Sequence, residues 1–264
     1  MGFTDIVFEK KDGVAIVTFT REEARNAIRY QTWLDIQSAV KKCAKEDDVR
    51  AVIITGKGKA FSAGEDLADM AKFLDEKPDF FMLRQFLMEI QEITSSMMKM
   101  KKPIIAALNG YVVGAGAEIA IASDIRIASE KATFEFAEVK VGLFETNGVT
   151  YLLPRLIGLR RAMELMLTGR RIDAYEAKEI GLVSFVVKPE ELLEEAMKLA
   201  DTMAQNAPVS MANVKNCLYR SGEISLTDAL TYETEAMMAC SMTDDAKEGP
   251  MAFFEKRKPN FKGK

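Results

Sequence analysis

Two glutamates occupy positions where a carboxylate could do chemistry. Glu118 follows Gly114-Ala115-Gly116-Ala117 and opens the small, apolar run Ile119-Ala120-Ile121-Ala122. Charge at the start of such a helix is costly to bury unless the place is partly wet or functional. Glu138 lies in Phe134-Glu135-Phe136-Ala137-Glu138-Val139-Lys140-Val141-Gly142, whose alternation also suits the solvated edge of a strand. Two carboxyls sharing a pocket can divide the work of general acid and general base, provided their surroundings differ. Linear spacing does not say whether these two meet. Two glycine-bearing loops, after runs 52–55 and 104–108, each come before a helix. A backbone N–H at such a turn has no helical partner and is aimed at negative charge. Two of them converging on one oxygen would form an oxyanion hole, whereas the same glycines could serve only the sterics of tight turns.

Composition narrows the alternatives. The chain has 264 residues and no histidine, which removes Ser-His-Asp and Cys-His hydrolases, His-ligated zinc and histidine general bases. Acid–base work falls to carboxylates, Lys, Tyr, Cys or backbone groups. Lys plus Arg is 36 and Asp plus Glu is 40, a net charge of −4 that argues against a general nucleic-acid-binding surface. Gly114-Ala115-Gly116 and Gly56-Lys57-Gly58 lack the third glycine of a dinucleotide fingerprint, and no Gly-Lys-Ser/Thr exists for a P-loop. Cys43, Cys217 and Cys240 are far apart, odd in number and without CxxC spacing, the pattern of packed thiols in a reducing compartment. No signal-peptide pattern and no membrane-length apolar run is visible, so a cytoplasmic protein is expected.

The elements that must position these residues follow from periodicity. Runs 6–10 and 14–19 predict a hairpin about Asp12-Gly13, and Trp33, Ile36, Val40 and Cys43 mark an amphipathic helix over 32–44. Runs 49–56, 103–108 and 124–128 read as buried strands, with a helical 70–100 broken near Pro78 and a Gly-rich turn at 109–118 opening a helix to 122. Strand–helix–strand alternation means an α/β core with parallel pairing. Helices are expected over 159–168, 174–180, 189–204, 208–221, 225–241 and 244–256, with Ser225-Leu226-Thr227-Asp228 as a capping box carrying Asp in place of Glu. A compositional boundary near residue 195 divides an α/β core (1–195) from a helical end (196–264). The methionines of that end (Met197, Met203, Met211, Met237, Met238) suit core or interface filling.

Taken together, the chain resembles the enoyl-CoA hydratase/isomerase (crotonase) superfamily. The resemblance rests on Arg25-Asn26-Ala27, Ala60-Phe61-Ser62-Ala63-Gly64-Glu65-Asp66-Leu67, Asn109-Gly110-Tyr111 through Glu118, and Ser123-Asp124-Ile125-Arg126-Ile127-Ala128. It continues through Phe136-Ala137-Glu138 to Gly142, Leu153-Pro154-Arg155-Leu156-Ile157-Gly158, Thr168-Gly169-Arg170-Arg171-Ile172 and the tail from Phe253 to Lys262. It implies an α/β spiral of repeated β-β-α units with a C-terminal helical trimerisation region, and hence a homotrimer or a dimer of trimers. By the same resemblance the oxyanion-hole amides fall on Glu65 and Ala115, and the catalytic glutamates on Glu118 and Glu138. The Glu65 side chain would turn away from the thioester. Coenzyme A, entering as part of an acyl-CoA thioester, would lie along Arg25, Ala27, Ala63, Asp66 and Leu67, with Gly114 at the reacting end. Lys57, Lys59, Lys256, Arg257, Lys258 and Lys262 are candidates for its phosphates, or plain solvated surface.

Possession of both glutamates favours syn hydration of a 2-enoyl-CoA, or the reverse dehydration, without metal or redox cofactor. The alternatives are a double-bond isomerase using Glu138 alone, hydrolase or C–C lyase chemistry on an acyl-CoA, and a non-enzymatic scaffold or RNA-binding member of the fold. After Gly142 the family's hydratases usually continue with proline and glycines, whereas this chain reads Leu143-Phe144-Glu145-Thr146-Asn147-Gly148. That difference puts a straight-chain crotonyl substrate in doubt and makes Glu145 either a third acid or a paired surface residue. Bulk at Phe73, Leu74, Phe80 and Phe81 points to a branched, alicyclic or aromatic acyl group.

Overall fold

The computed structural model describes residues 2–264. Strands β1 (Ile6–Lys11) and β2 (Val14–Phe19) form the expected hairpin, with Asp12 and Gly13 at φ of 51° and 81° as a two-residue turn of this hand requires. Helix α1 (Tyr30–Lys45) buries Trp33, Ile36, Val40 and Cys43 along one face. Three strand–strand–helix turns follow. The first holds β3 (Ala51–Gly56), β4 (Ala60–Ser62), α2 (Leu67–Asp75) and α3 (Phe80–Lys99). The second holds β5 (Ile104–Leu108), β6 (Tyr111–Val113) and α4 (Ala115–Ala122). The third holds β7 (Ile125–Ser129), β8 (Thr133–Glu135), a 3-10 turn (Glu138–Lys140), α5 (Val149–Ile157) and α6 (Leu159–Thr168). The chain ends with β9 (Ile172–Asp173), α7 (Ala174–Glu179), β10 (Phe185–Val187), α8 (Leu192–Ala204), α9 (Pro208–Arg220), α10 (Leu226–Ser241) and α11 (Asp245–Phe254).

Each turn of this spiral gives one strand to each of two sheets. The larger has the order β1-β2-β3-β5-β7-β10, parallel except for the first hairpin. The smaller has the order β4-β6-β8-β9, with β4, β6 and β8 parallel. Both faces of the large sheet are buried, which accounts for the unbroken apolar runs of β3 and β5. Val52 and Ile54 join the main core, while Ala51, Ile53, Ile105 and Ala107 face Leu192, Ala196 and Ala200, an i, i+4, i+8 stripe on α8. Fully burying one such branched side chain contributes about 1.5–3 kcal/mol.

Three expectations change. Two strands of the small sheet, β4 and β6, hidden in what reads as loop and turn, lie between the large-sheet strands and the glycine loops. The Val149–Ile157 helix, which contains Pro154, was not expected from periodicity. A division at residue 195 falls inside α8, whose apolar stripe belongs to the sheet's core, so the helices that leave the core start with α9. The end of the chain is tied back by one polar cluster. Lys215 Nζ on α9 donates to Met97 O at 2.9 Å, Lys102 O at 3.2 Å and Asp124 Oδ2 at 2.8 Å, while Tyr219 Oη donates to Asp124 Oδ1 at 2.8 Å. The Ser225 capping box is present with Asp228, as its sequence implied.

Candidate active site

The site is built at the carboxyl ends of the small sheet's parallel strands. β4 runs into Ala63-Gly64-Glu65, its neighbour β6 into Gly114-Ala115, and the next strand, β8, into Phe136-Ala137-Glu138. Neighbouring parallel strands end side by side, so three segments distant in sequence converge by topology alone. Gly64 and Gly114 have φ of +94° and +47° and approach closely: a Cβ on Gly64 would stand 3.1 Å from Val113 O and 3.7 Å from Gly114 Cα. Only glycine tolerates those torsions without strain. On the other side, a Cβ on Gly114 would lie 2.6 Å from Glu138 Oε1, so the missing side chain gives that carboxyl its place beside the second turn.

The backbone donors can be accounted for one by one. Ile28 N donates to Gly64 O and Asp66 N to Ile28 O, both at 2.8 Å. This bridge turns the N–H of the intervening Glu65 away from Ile28. Gly64 N is taken by Ser62 Oγ at 3.1 Å, and Gly114 N by Glu135 O at 3.0 Å. Ala115 is the first residue of α4, where an N–H has no helical acceptor. Among the described residues, neither Glu65 N nor Ala115 N is given a partner. These are the two amides on which the family resemblance places the oxyanion hole.

Four carboxyls surround the amides. Glu118, 2% exposed on the first turn of α4, accepts from Thr146 N at 2.7 Å, Asn147 N at 3.0 Å and Asn147 Nδ2 at 3.1 Å. Burial raises its pKa, opposed by those three donors and reinforced by the charge of Glu138. Glu138 stands on the 3-10 turn rather than on a strand edge, and its Oε2 is buried without a partner. Glu145 is buried with an unpartnered Oε2, and its carboxyl reaches hydrogen-bonding contact with that of Glu138. Burial first, and then Glu138 and Glu118, push Glu145 far above the usual carboxylate range. Glu65 is pushed up to about 8, by burial and secondarily by Glu118, against a hydrogen bond from Trp33 Nε1 at 3.3 Å.

Trp33, Thr146 and Asn147 were not singled out from sequence, although the segment after Gly142 signalled an unusual wall. Asn147 is in turn held by Thr94 Oγ1 of α3, which donates to its main-chain oxygen at 3.2 Å. The Glu65 side chain lines a cavity of about 570 Å³ with Tyr30, Met70, Phe73, Met82 and Phe86. Phe73 lines this cavity. Phe80 and Phe81 do not: they are 73% and 77% exposed and face solvent.

The segment expected to hold coenzyme A forms one strip. Ala63 N donates to Arg25 O at 3.0 Å, and Asn26 Nδ2 ties the same loop to Lys57 O at 3.0 Å and Ala60 O at 2.8 Å. Arg25, Ala27, Ala63 and Asp66 thus lie beside the Gly64 turn, with Leu67 exposed at the start of α2. The Asp66 side chain is engaged internally, accepting from Ala68 N at 3.2 Å, Asp69 N at 3.3 Å and Arg21 Nη2 at 2.9 Å. Lys57 faces Glu22 at 3.5 Å, and Arg257 is held by Glu248 and Glu255.

Known proteins with this sequence and architecture agree with one another. The enoyl-CoA hydratase/isomerase family model matches residues 9–264. The chain is 41% identical to a probable mitochondrial enoyl-CoA hydratase of Dictyostelium discoideum, over 97% of this chain and 90% of that protein. It is 38% identical to a crotonyl-CoA hydratase of Syntrophomonas wolfei, over 99% of each. The crystal structure of an enoyl-CoA hydratase from Bacillus anthracis superimposes with a TM-score of 0.93 at 35% identity, covering 99% of this chain and 100% of that one. Likeness over the whole length, in sequence and in architecture alike, makes this chain a member of the enoyl-CoA hydratase/isomerase (crotonase) family.

Proposed function

We propose that this protein is an enoyl-CoA hydratase, adding water syn across the double bond of a 2-enoyl-CoA thioester, with the reverse dehydration catalysed by the same groups. One observation carries the reading: two amides without partners at the strand tips of the small sheet lie beside two carboxyls, the buried Glu118 on the first turn of α4 and the half-buried Glu138 after β8. The thioester oxygen accepts from Glu65 N–H and Ala115 N–H. Water gives a proton to one carboxylate as its oxygen bonds to Cβ, and the π electrons move onto the thioester oxygen as an enolate. The enolate then collapses, taking a proton at Cα from the other carboxyl. Glu118, fixed as an acceptor by three donors, suits the water; Glu138, beside Gly114, suits Cα. Each amide of an oxyanion hole contributes about 3 kcal/mol to the transition state.

Neither a metal nor a redox cofactor enters these steps, and coenzyme A arrives as part of the substrate, along Arg25, Ala27, Ala63, Asp66 and Leu67. The cavity beyond Glu65 takes the acyl group, and its aromatic lining suits branched, alicyclic or aromatic chains. The reading includes a homotrimer or a dimer of trimers, supported by the apolar exposure of the last helices, and a cytoplasmic setting, in keeping with three free thiols. The test is incubation of a panel of 2-enoyl- and 3-enoyl-CoA thioesters with mass detection. Hydration adds the mass of one water. Unchanged mass with a moved double bond means an isomerase working through Glu138, and release of free CoA or of a shortened acyl-CoA means hydrolysis or cleavage. Full turnover by both Glu118→Gln and Glu138→Gln would discard the mechanism.

A further inference from the structure

Glu145 is the acid of the pocket with no role so far. It sits in the segment that closes the site between the 3-10 turn and α5, and it is 8% exposed. Its Oε2 and the Oε2 of Glu138 are both buried and both lack a partner, and the two carboxyls are in hydrogen-bonding contact with each other. Two carboxylate anions cannot make that contact, because each offers only acceptors; one proton between the two carboxyls turns it into a hydrogen bond. Among the described residues no cation substitutes for the proton. Lys140 and Arg171, the basic groups of that edge, are engaged by Glu135 at 3.0 and 2.6 Å. From α4 the group facing Glu145 is Glu118, another acid, and from α3 the neighbours of the same loop are the uncharged Gln91 and Thr94.

We infer that Glu145 and Glu138 share a single proton, and that Glu145 is a positioning residue that keeps this proton available to Glu138 at neutral pH. The inference rests on the hydratase reading and deepens it. Removing the shared proton would leave two adjacent anions in a buried site, so the pair retains it into the alkaline range; the raised proton affinity of Glu145 follows from that burial and that neighbour. In the forward reaction the pair would hand its proton through Glu138 to Cα, leaving one anionic charge more on the pair. Glu118 meanwhile gains the proton released by water, and its transfer back to the pair restores the starting state. Atoms and charge balance without any outside reactant.

The test combines a spectroscopic readout with a kinetic one. Infrared difference spectra of the wild type should show, besides the band that Glu65 gives up to about pH 8, a protonated-carboxyl C=O stretch persisting above that pH, lost in Glu145→Gln and in Glu138→Gln alike. The alkaline limb of kcat/KM for hydration should move toward acid by about one pH unit or more in Glu145→Gln, with KM changed less than about threefold, because Gln donates a hydrogen bond but holds no transferable proton. Glu145→Asp, which keeps the acid, should return the limb toward its original place, and it serves as the second variant if the first does not fold. A wild type without the band, or a limb unmoved in Glu145→Gln, overturns the inference. Because the band needs no turnover, a protein that shares the proton yet hydrates nothing would indict the hydratase reading instead.

Discussion

Glu118 and Glu138 carry the same functional group in different settings: one anchored by three N–H donors, the other with a bare oxygen turned to a second acid. Replacing either by Gln should lower kcat about 10²–10⁴-fold, measured by loss of the conjugated thioester's absorbance, if each moves a proton. The sequence offered both positions but not their difference, since the donors come from Thr146 and Asn147, nearly thirty positions on by the hydrogen bonds' own separations of 28 and 29. Glu65 adds a signature in stability. With its folded value near 8 against an ordinary 4.5, the folded state holds a proton that the unfolded state has lost between those pH values. Its stabilising contribution is therefore fully present below pH 4.5 and lost as pH rises to 8, by on the order of 5 kcal/mol. Glu65→Gln should flatten that part of the Tm-against-pH curve; a slope equal to the wild type's would refute the assignment.

At the scale of elements, the site depends on where strands stop. The large sheet was legible because β3, β5 and β7 are continuous apolar runs, and α1 because its apolar residues recur at helical spacing. The small sheet was not. β4, β6 and β8 are three residues long; only around β8 does alternation hint at a strand edge, and all three exist because each is paired to a neighbour far along the chain. The glycine turns were therefore recognised but attached to the wrong strands. Gly114 tests the corrected geometry. Gly114→Ala places a methyl 2.6 Å from Glu138 Oε1 at a φ of +47°, so it should displace both the Ala115 amide and that carboxyl. The expected result is about a 10²-fold or greater fall in kcat with about 1–3 kcal/mol lost in denaturant unfolding. Unaltered kcat would show that the second turn lies outside the reaction.

For the molecule as a whole, the last helices present two different surfaces. Toward the core, the Lys215–Asp124–Tyr219 cluster pins α9. Lys215→Met leaves the half-buried Asp124 with Ile104 N and Tyr219 Oη but no cation, and should cost about 1–3 kcal/mol, read by chemical denaturation. Away from the core, α10 buries no residue, and Leu226, Leu230, Met237, Met238 and Met242 are all exposed. Sedimentation should therefore report a trimer or hexamer, and Leu230→Glu with Met238→Glu should shift it toward monomer; a wild-type monomer would refute the association. A composition boundary alone could not separate these helices from α8, because the same apolar residues serve packing within one chain and between copies.

The donors at Glu65 and Ala115 are main-chain groups, and that has a consequence for inheritance and for laboratory breeding of new enzymes. No codon spells a peptide hydrogen, so on the proposed reading substitutions at position 65 would remodel the mouth of the neighbouring cavity and leave the amide that holds the carbonyl in place. Libraries randomised there should yield catalysts with altered tastes in acyl chain, whereas libraries at Gly64 and Gly114 should return chiefly inert proteins.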